Sequence, residues 1–78
     1  MKRWEVNYSE NVIVVENSAF GERLFVNDDL QDERNGLIGN RVRLWGQLKT
    51  GEQIKVSLGG TFKSQCRIFV DNKLVLSN

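Results

Sequence analysis

The sequence predicts an all-β fold: a small antiparallel β-sandwich or flattened barrel of seven to eight strands, with mostly hairpin connections. Glycine and Asn/Asp clusters recur about every eight to twelve residues, a spacing typical of all-β domains. Between them lie short runs of β-branched and aromatic residues, and no segment has a long 3.6-residue apolar period. Because 78 residues can enclose only one hydrophobic core, residues 1–78 are predicted to form a single domain.

Seven segments have the composition of strands. In chain order they are residues 2–8, 11–16, 22–26, 40–48, 52–58, 64–70 and 73–76. The segment DDLQDERNG, residues 28–36, leaves two alternatives open. Asp29 could cap a short helical turn that ends at Gly36, or a turn at Asn27 and Asp28 could place Leu30 in a further strand.

The segment RVRLWGQLKTGEQIKVSLG, residues 41–59, predicts a hairpin with a defined register. Lys49-Thr50-Gly51 suits a three-residue loop in which Gly51 adopts a left-handed conformation. Leu48 then lies opposite Glu52, and the next inner pairs are apolar or glycine on both strands, whereas a slip of one residue would lose this match. These inner pairs are Gly46 with Ile54, Leu44 with Val56, and Val42 with Leu58.

Two octapeptides resemble each other: RLFVNDDL at residues 23–30 and RIFVDNKL at residues 67–74. Paired Asn/Asp residues between two strands favour a type I′ turn, which needs positive φ at both central positions. Each turn would place a Phe opposite a Leu on one face, Phe25 with Leu30 and Phe69 with Leu74. We interpret the similarity as two hairpins with the same turn chemistry rather than as a recognition motif.

The net charge of +1 conceals an uneven distribution. Residues 1–33 hold three basic and eight acidic side chains, whereas residues 34–78 hold eight basic and two acidic side chains. Such asymmetry can indicate an anionic partner or self-association. The preferred interpretation is that the two halves of the sequence pair within one sheet system and that their charges neutralise each other.

The composition argues against an enzyme, a metal site or a resident cofactor. The chain has no histidine, the commonest general base and metal ligand, and its single Cys66 alternates with Ile68 and Val70 on the expected inner face. Residues 27–33 lack the spacing of a calcium loop, and the 59–63 segment (GGTFK) matches no phosphate-binding motif. Neither a signal peptide nor a membrane span is expected, so a cytoplasmic location is predicted.

The outer face of the 41–59 hairpin is the candidate ligand-binding site. Arg41, Arg43, Trp45 and Gln47 alternate along one strand, and Lys55 lies directly across from Trp45. An aromatic side chain among cations on a sheet is an arrangement that stacks bases and neutralises phosphates of single-stranded nucleic acid. The same Trp, Gln and Arg side chains could equally hold a carbohydrate or a peptide. The structural alternative is that another strand covers Trp45, or that Lys55 covers it through a cation–π contact.

The chain also resembles the β-domains of the Fas apoptotic inhibitory molecule family. The resemblance rests on Trp4-Glu5-Val6, the strand at residues 12–16, the segment from Gly21 to Val26 with the Asx turn that follows, Ile54-Lys55-Val56, and the last hairpin. It implies a compact antiparallel β fold that acts through protein contacts, without catalysis. Known members pair two such domains and often carry Asp-Gly or Asn-Gly turns, whereas this chain has one domain, with turns at Asn27-Asp28 and Asp71-Asn72.

The function expected from these observations is that of a non-catalytic binding module. The first hypothesis is a protein-interaction domain, including self-association through acidic and basic surfaces. The alternative is an anionic ligand, either single-stranded nucleic acid or carbohydrate, bound through Arg41, Arg43, Trp45 and Lys55. The sequence names neither the partner nor the oligomeric state.

Overall fold

The computed structural model describes residues 1–35, 41–60 and 65–78, and shows eight antiparallel strands in two sheets of four. Within each sheet the strands follow chain order, β1-β2-β3-β4 and β5-β6-β7-β8. The two sheets are called here the N-terminal and the C-terminal sheet. The strands are β1 (Lys2–Tyr8), β2 (Asn11–Ser18), β3 (Gly21–Val26), β4 (Asp29–Arg34), β5 (Val42–Gln47), β6 (Gln53–Gly59), β7 (Gln65–Val70) and β8 (Lys73–Ser77).

The all-β prediction is confirmed, and the two facing sheets give it the form of a sandwich. All seven predicted strands are present, with ends that differ by at most two residues where the structure describes them. The predicted strand positions Asn40 and Ser64 lie outside the described residues, as do Gly36 and residues 61–63 of the 59–63 segment.

The open alternative at residues 28–36 is decided in favour of a strand. Asn27 and Asp28 have φ values of 50° and 70°, and β4 begins immediately after them at Asp29. Phe25 lies opposite Leu30, as predicted, and the pairing then shifts so that Leu24 lies opposite Asp32. Positive φ at both turn residues reverses the chain into a hairpin, so the described residues 28–35 form no helical turn.

The other predicted turns are also confirmed. Asp71 and Asn72 have φ values of 47° and 66°, and Phe69 lies opposite Leu74. Gly51 has a φ of 103°, and the 41–59 hairpin has every predicted pair in register. The Leu48 N–H donates to the Glu52 carbonyl at 2.9 Å, which closes the loop. Each of these turns sets the side chains of its two strands onto fixed faces.

The expectation that the two sequence halves pair within one sheet system is wrong. Among the described residues, every strand of the N-terminal sheet comes from residues 2–34, and every strand of the C-terminal sheet comes from residues 42–77. Short hairpins keep neighbouring strands in chain order, so the sheets do not exchange strands. The acidic and basic halves of the sequence therefore become an acidic and a basic sheet.

The hydrophobic core lies between the inner faces of the two sheets. Leu24 and Ile13 of the N-terminal sheet and Leu44 and Ile54 of the C-terminal sheet are fully buried, and Cys66 is also inside, as predicted. The remaining buried members of this cluster are Trp4, Val15, Val26, Val42, Leu48, Val56, Leu58, Ile68 and Val70. On β3, β5, β6 and β7 inward residues alternate with outward ones, so the two outer faces can differ in chemistry.

Candidate functional site

The structure places the predicted site residues together on the outer face of the C-terminal sheet. Arg43 and Trp45 lie on β5, Arg41 precedes that strand, and Lys55 lies on β6 directly opposite Trp45. Arg41 and Arg43 are exposed, and Trp45 is 50% exposed. Within the part of the chain that the structure describes, no strand covers Trp45, so its ring is accessible to a ligand.

The predicted alternative of a Lys55–Trp45 cation–π contact is not what the structure shows. Lys55 Nζ lies over the ring of Phe69, 4.8 Å from its centroid. Phe69 is the next residue across the sheet from Lys55, and Leu74 follows it on β8. Lys55 is therefore held on the Phe69 side, which leaves the Trp45 ring without this contact.

Two rows of side chains cross the four strands of this face. The first row runs Trp45, Lys55, Phe69, Leu74, and the second runs Arg43, Ser57, Arg67, Ser77. Both rows combine cations with aromatic, aliphatic or small hydroxyl side chains. We call this surface the basic face, and its defining members are Arg41, Arg43, Trp45, Lys55, Arg67, Phe69 and Leu74.

Sequence reasoning missed three of these members, Arg67, Phe69 and Leu74. The available signal was parity: Cys66, Ile68 and Val70 face inward, so the residues between them face outward. What could not be predicted was the pairing of β6 with β7, because the connection after Gly59 carries no turn signature. That pairing places Phe69 opposite Lys55 and Arg67 opposite Ser57.

The equivalent face of the N-terminal sheet has a different electrostatic character. Its two rows run Glu5, Val14, Phe25, Leu30 and Arg3, Glu16, Arg23, Glu33. Arg3 pairs with Glu5 at 3.0 Å, and Arg23 pairs with Glu33 at 3.6 Å. Cations of this face are thus matched by acids on the same face.

The basic face has no such match. Its two rows contain no acidic residue, and among the described residues Arg41, Arg43, Lys55 and Arg67 form no ion pair. Unpaired cations beside a half-exposed aromatic ring give a surface that attracts anions. The arrangement can neutralise a phosphate backbone and stack a planar ring.

Side chains of β4 fix the free edge of β5 beside this face. The Trp45 N–H donates to Asp32 Oδ2 at 2.9 Å, and the Gln47 N–H donates to Gln31 Oε1 at 3.2 Å. Asp32 also binds Arg34 through its other oxygen at 2.6 Å. The backbone of Trp45 and the guanidinium of Arg34 are therefore held by one carboxylate.

An open pocket lies where β5 begins, at the end of the basic face. It has a volume of about 280 Å³ and is lined by Arg34, Asn35, Arg41, Val42 and Arg43. Three arginine residues in the lining of one depression favour an anionic occupant. Arg34 and Asn35 were not among the residues singled out in the sequence, because their approach to β5 depends on how the two sheets meet.

The described residues offer no alternative chemistry as well defined as this one. Burial raises the pKa of the Cys66 thiol to about 12, so this cysteine is a poor nucleophile at neutral pH. Within residues 1–35, 41–60 and 65–78, no group of three His, Cys, Asp or Glu residues could hold a metal ion. In the same ranges, no helix has the length and apolar character to cross a membrane.

No family model matches the chain, and no curated protein or solved structure matches it either. The resemblance to the Fas apoptotic inhibitory molecule family accordingly stays a prediction.

Proposed function

We propose that the protein is a non-catalytic binding module whose basic face binds single-stranded nucleic acid. The observation that carries the proposal is the contrast between two topologically equivalent faces. One balances its arginines with glutamates, whereas the other presents unpaired cations around a half-exposed Trp45. Single strands bind to surfaces of this kind because every base has a face that can stack and every linkage carries a charge.

The row across the sheet supports stacking of more than one base. Trp45 is 50% exposed and Leu74 is 48% exposed, and Phe69 lies between Lys55 and Leu74. Neighbouring strands are about 4.8 Å apart, so Trp45 and Leu74 lie at the two ends of one row, and Lys55 Nζ lies over the Phe69 ring between them. Arg43 and Arg67 lie in the adjacent row, where they can contact the backbone of the bound strand.

The proposal is tested with labelled oligothymidylate and oligouridylate, using fluorescence anisotropy across a salt series. Arg43→Gln and Arg67→Gln are compared with Arg3→Gln and Arg23→Gln, which change the equivalent positions of the other face. We expect only the first pair to weaken binding. Each should also lower the slope of log K against log salt by about 0.7, the contribution of one phosphate contact to a single strand.

Trp45→Ala should weaken binding about tenfold or more, since one stacked base contributes about 1–3 kcal/mol. In the unaltered protein, the fluorescence of Trp45 should also change when the oligonucleotide is added. Absence of binding at low salt, or equal loss in the variants of both faces, would overturn the proposal. Acidic glycans in the same assay test the carbohydrate alternative.

A second candidate function is interaction with a protein, including a second copy of this chain. The observation that favours it is the segregation of charge by sheet. The described residues 1–35 carry four basic and eight acidic side chains, and the described residues from 41 onward carry six basic and two acidic ones. The resemblance to the Fas apoptotic inhibitory molecule family implies a role of the same kind.

Self-association of this type is electrostatic, so it should weaken as salt rises. Sedimentation velocity at low and high ionic strength separates it from the first proposal. A concentration-independent monomer at low salt would contradict it. A reducing, cytoplasmic setting, which suits the unpaired Cys66, is part of both proposals.

A further inference from the structure

The open pocket at the start of β5 has a charge arrangement that differs from the rest of the basic face. Arg34 comes from β4, and Arg41 and Arg43 come from the start of the C-terminal sheet. The basic face elsewhere offers single cations separated by neutral side chains. Here three arginine residues line one depression of about 280 Å³.

Arg34 is held in place by its own strand. Its Nη1 donates to Asp32 Oδ1 at 2.6 Å and to the Glu33 carbonyl at 3.0 Å. Asp32 neutralises the charge of Arg34, whereas Arg41 and Arg43 form no ion pair among the described residues. The pocket therefore combines one arginine held by its own strand with two arginines that have no acidic partner among the described residues.

The other acidic groups near Arg34 are already engaged or buried. Glu33 pairs with Arg23 at 3.6 Å on the outer face of the N-terminal sheet. Glu22 lies opposite Arg34 on β3 and is buried. Arg41 and Arg43 are therefore the two arginines of the pocket that form no ion pair among the described residues.

We propose that this pocket binds the terminal phosphate monoester of a nucleic-acid strand whose adjacent base stacks on Trp45. An internal phosphodiester carries one negative charge, whereas a terminal monoester carries about −1.5 to −2 at pH 7. The planar forks of two arginines match that charge and its oxygen geometry. This inference rests on the proposed function and names the form of nucleic acid that the same surface prefers.

The spacing along β5 connects the pocket to the stacking residue. Arg43 and Trp45 are two residues apart on one face, which is about 6.6 Å along a strand. Asp32 joins both ends of this arrangement, because it binds Arg34 and accepts the Trp45 N–H. A strand that ends in the pocket can therefore continue across the row of Trp45, Lys55 and Phe69.

The experiment compares short oligothymidylates that differ only in a terminal phosphate, with separate pairs for the 5′ and the 3′ end. Anisotropy is measured at about 50 mM salt, where phosphate contacts contribute strongly. We expect one of the two phosphorylated ends to bind about tenfold more tightly than its hydroxyl counterpart. Because the second pKa of a phosphate monoester is about 6, that gain should shrink at about pH 5.

Arg41→Gln should abolish the gain, while Lys49→Gln, which removes a cation from the 49–51 hairpin loop, should retain it. Arg43→Gln should reduce the gain as well as the affinity for hydroxyl-ended strands. The hydroxyl-ended oligonucleotide at each pH corrects for any titration of the protein itself.

If hydroxyl-ended strands bind but neither phosphate adds affinity, this inference is overturned and the proposed function stands. If no oligonucleotide binds, both are overturned. A gain that survives Arg41→Gln would place the phosphate elsewhere and would also overturn the inference. Binding of inorganic phosphate alone as tightly as the phosphorylated strand would show a free-anion site instead of a strand-end site.

Discussion

Gly46 lies on β5 where side chains of β3 and β4 approach that strand. A Cβ atom at this position would lie 3.0 Å from Leu24 Cδ2 and 3.3 Å from both Cβ and Oε1 of Gln31. Gln31 is the residue whose side chain accepts the Gln47 N–H at the free edge of β5. The absence of a side chain at Gly46 therefore allows β4 to approach and cover that edge.

Gly46→Ala should lower the free energy of unfolding by about 1–2 kcal/mol, because an extra methyl group in a packed site forces neighbours to shift. Urea unfolding followed by circular dichroism measures the change. Gly51→Asn is the matched control, since Gly51 has open space around it and asparagine tolerates its positive φ. Equal stability of Gly46→Ala and the unaltered protein would contradict the close approach.

The sequence predicted which face of the sheet carries the binding residues. It did not predict all the residues that lie beside them. Alternation has a period of two, so one fixed hairpin placed Arg43, Trp45 and Lys55 on the same face. Arg34 joins them only because β4 packs beside β5, a contact between sheets that no local pattern encodes. The contacts of the Asp32 carboxylate with Arg34 and with the Trp45 N–H also depend on how β4 packs beside β5, so the sequence could not predict them.

The first residue of each Asx turn has a second structural role beyond adopting positive φ. Asn27 donates its N–H to the Val12 carbonyl and accepts the Val12 N–H through Oδ1, both at 2.9 Å. Asp71 makes the same pair of bonds with Gln53, at 2.8 and 2.9 Å. Each turn thus closes the end of the strand beside its own hairpin.

Asn27→Gly separates these two roles, because glycine keeps the positive φ and loses both side-chain hydrogen bonds, the one accepted from the Val12 N–H and the one donated to Asn11 Oδ1. We expect the free energy of unfolding to fall by about 1–2 kcal/mol, since each such hydrogen bond usually contributes about 0.5–1.5 kcal/mol. Asp28→Gly is the control, since Asp28 also has a positive φ but makes no side-chain hydrogen bond among the described residues. Urea midpoints that shift equally in both variants would show that only the turn conformation matters.

Turn chemistry was predictable from sequence because Asn and Asp tolerate positive φ wherever they occur. The capping role was not, because its partner lies fifteen residues away from Asn27, on a strand outside the hairpin. The same limit applies to the type I′ turn at Ser9 and Glu10, whose φ values are 47° and 65°. Neither residue favours that conformation, so the short hairpin between β1 and β2 imposes it.

The whole molecule consists of two four-stranded meanders with the same arrangement, one in each sheet. Trp4, Val15 and Leu24 form a row across the N-terminal sheet that matches Leu44, Val56 and Ile68 in the C-terminal sheet. Both meanders have a pairing shift in the last hairpin and the same Asx bonds. The resemblance between RLFVNDDL and RIFVDNKL is therefore the visible part of a larger structural repeat.

The repeat is hidden in the sequence because its connections differ in length. Equivalent positions are 40 residues apart for β1 and β5, 41 for β2 and β6, and 44 for β3 and β7. Only the last hairpin keeps a constant offset over eight residues. Interpreting the two octapeptides as similar hairpins was correct for the turns, but the similarity extends to complete sheets with opposite charge.

Although each sheet is a complete meander, the shared core indicates that neither sheet is stable alone. Leu24 and Ile13 on one side and Leu44 and Ile54 on the other are fully buried only because the two inner faces cover each other. A separate four-stranded sheet would expose its apolar face to water. We therefore expect one cooperative unfolding transition for both sheets.

The chain supplies a tryptophan in each sheet to test this expectation. Trp4 is 5% exposed in the N-terminal sheet, and Trp45 is 50% exposed in the C-terminal sheet. Trp45→Phe and Trp4→Phe each leave a single fluorophore that monitors one sheet. In each variant, the urea midpoint from fluorescence should coincide with the midpoint from circular dichroism, because loss of either sheet removes the cover of the other. A fluorescence transition that precedes the circular dichroism transition in one variant would show that its sheet unfolds independently, and that the two meanders are separate folding units.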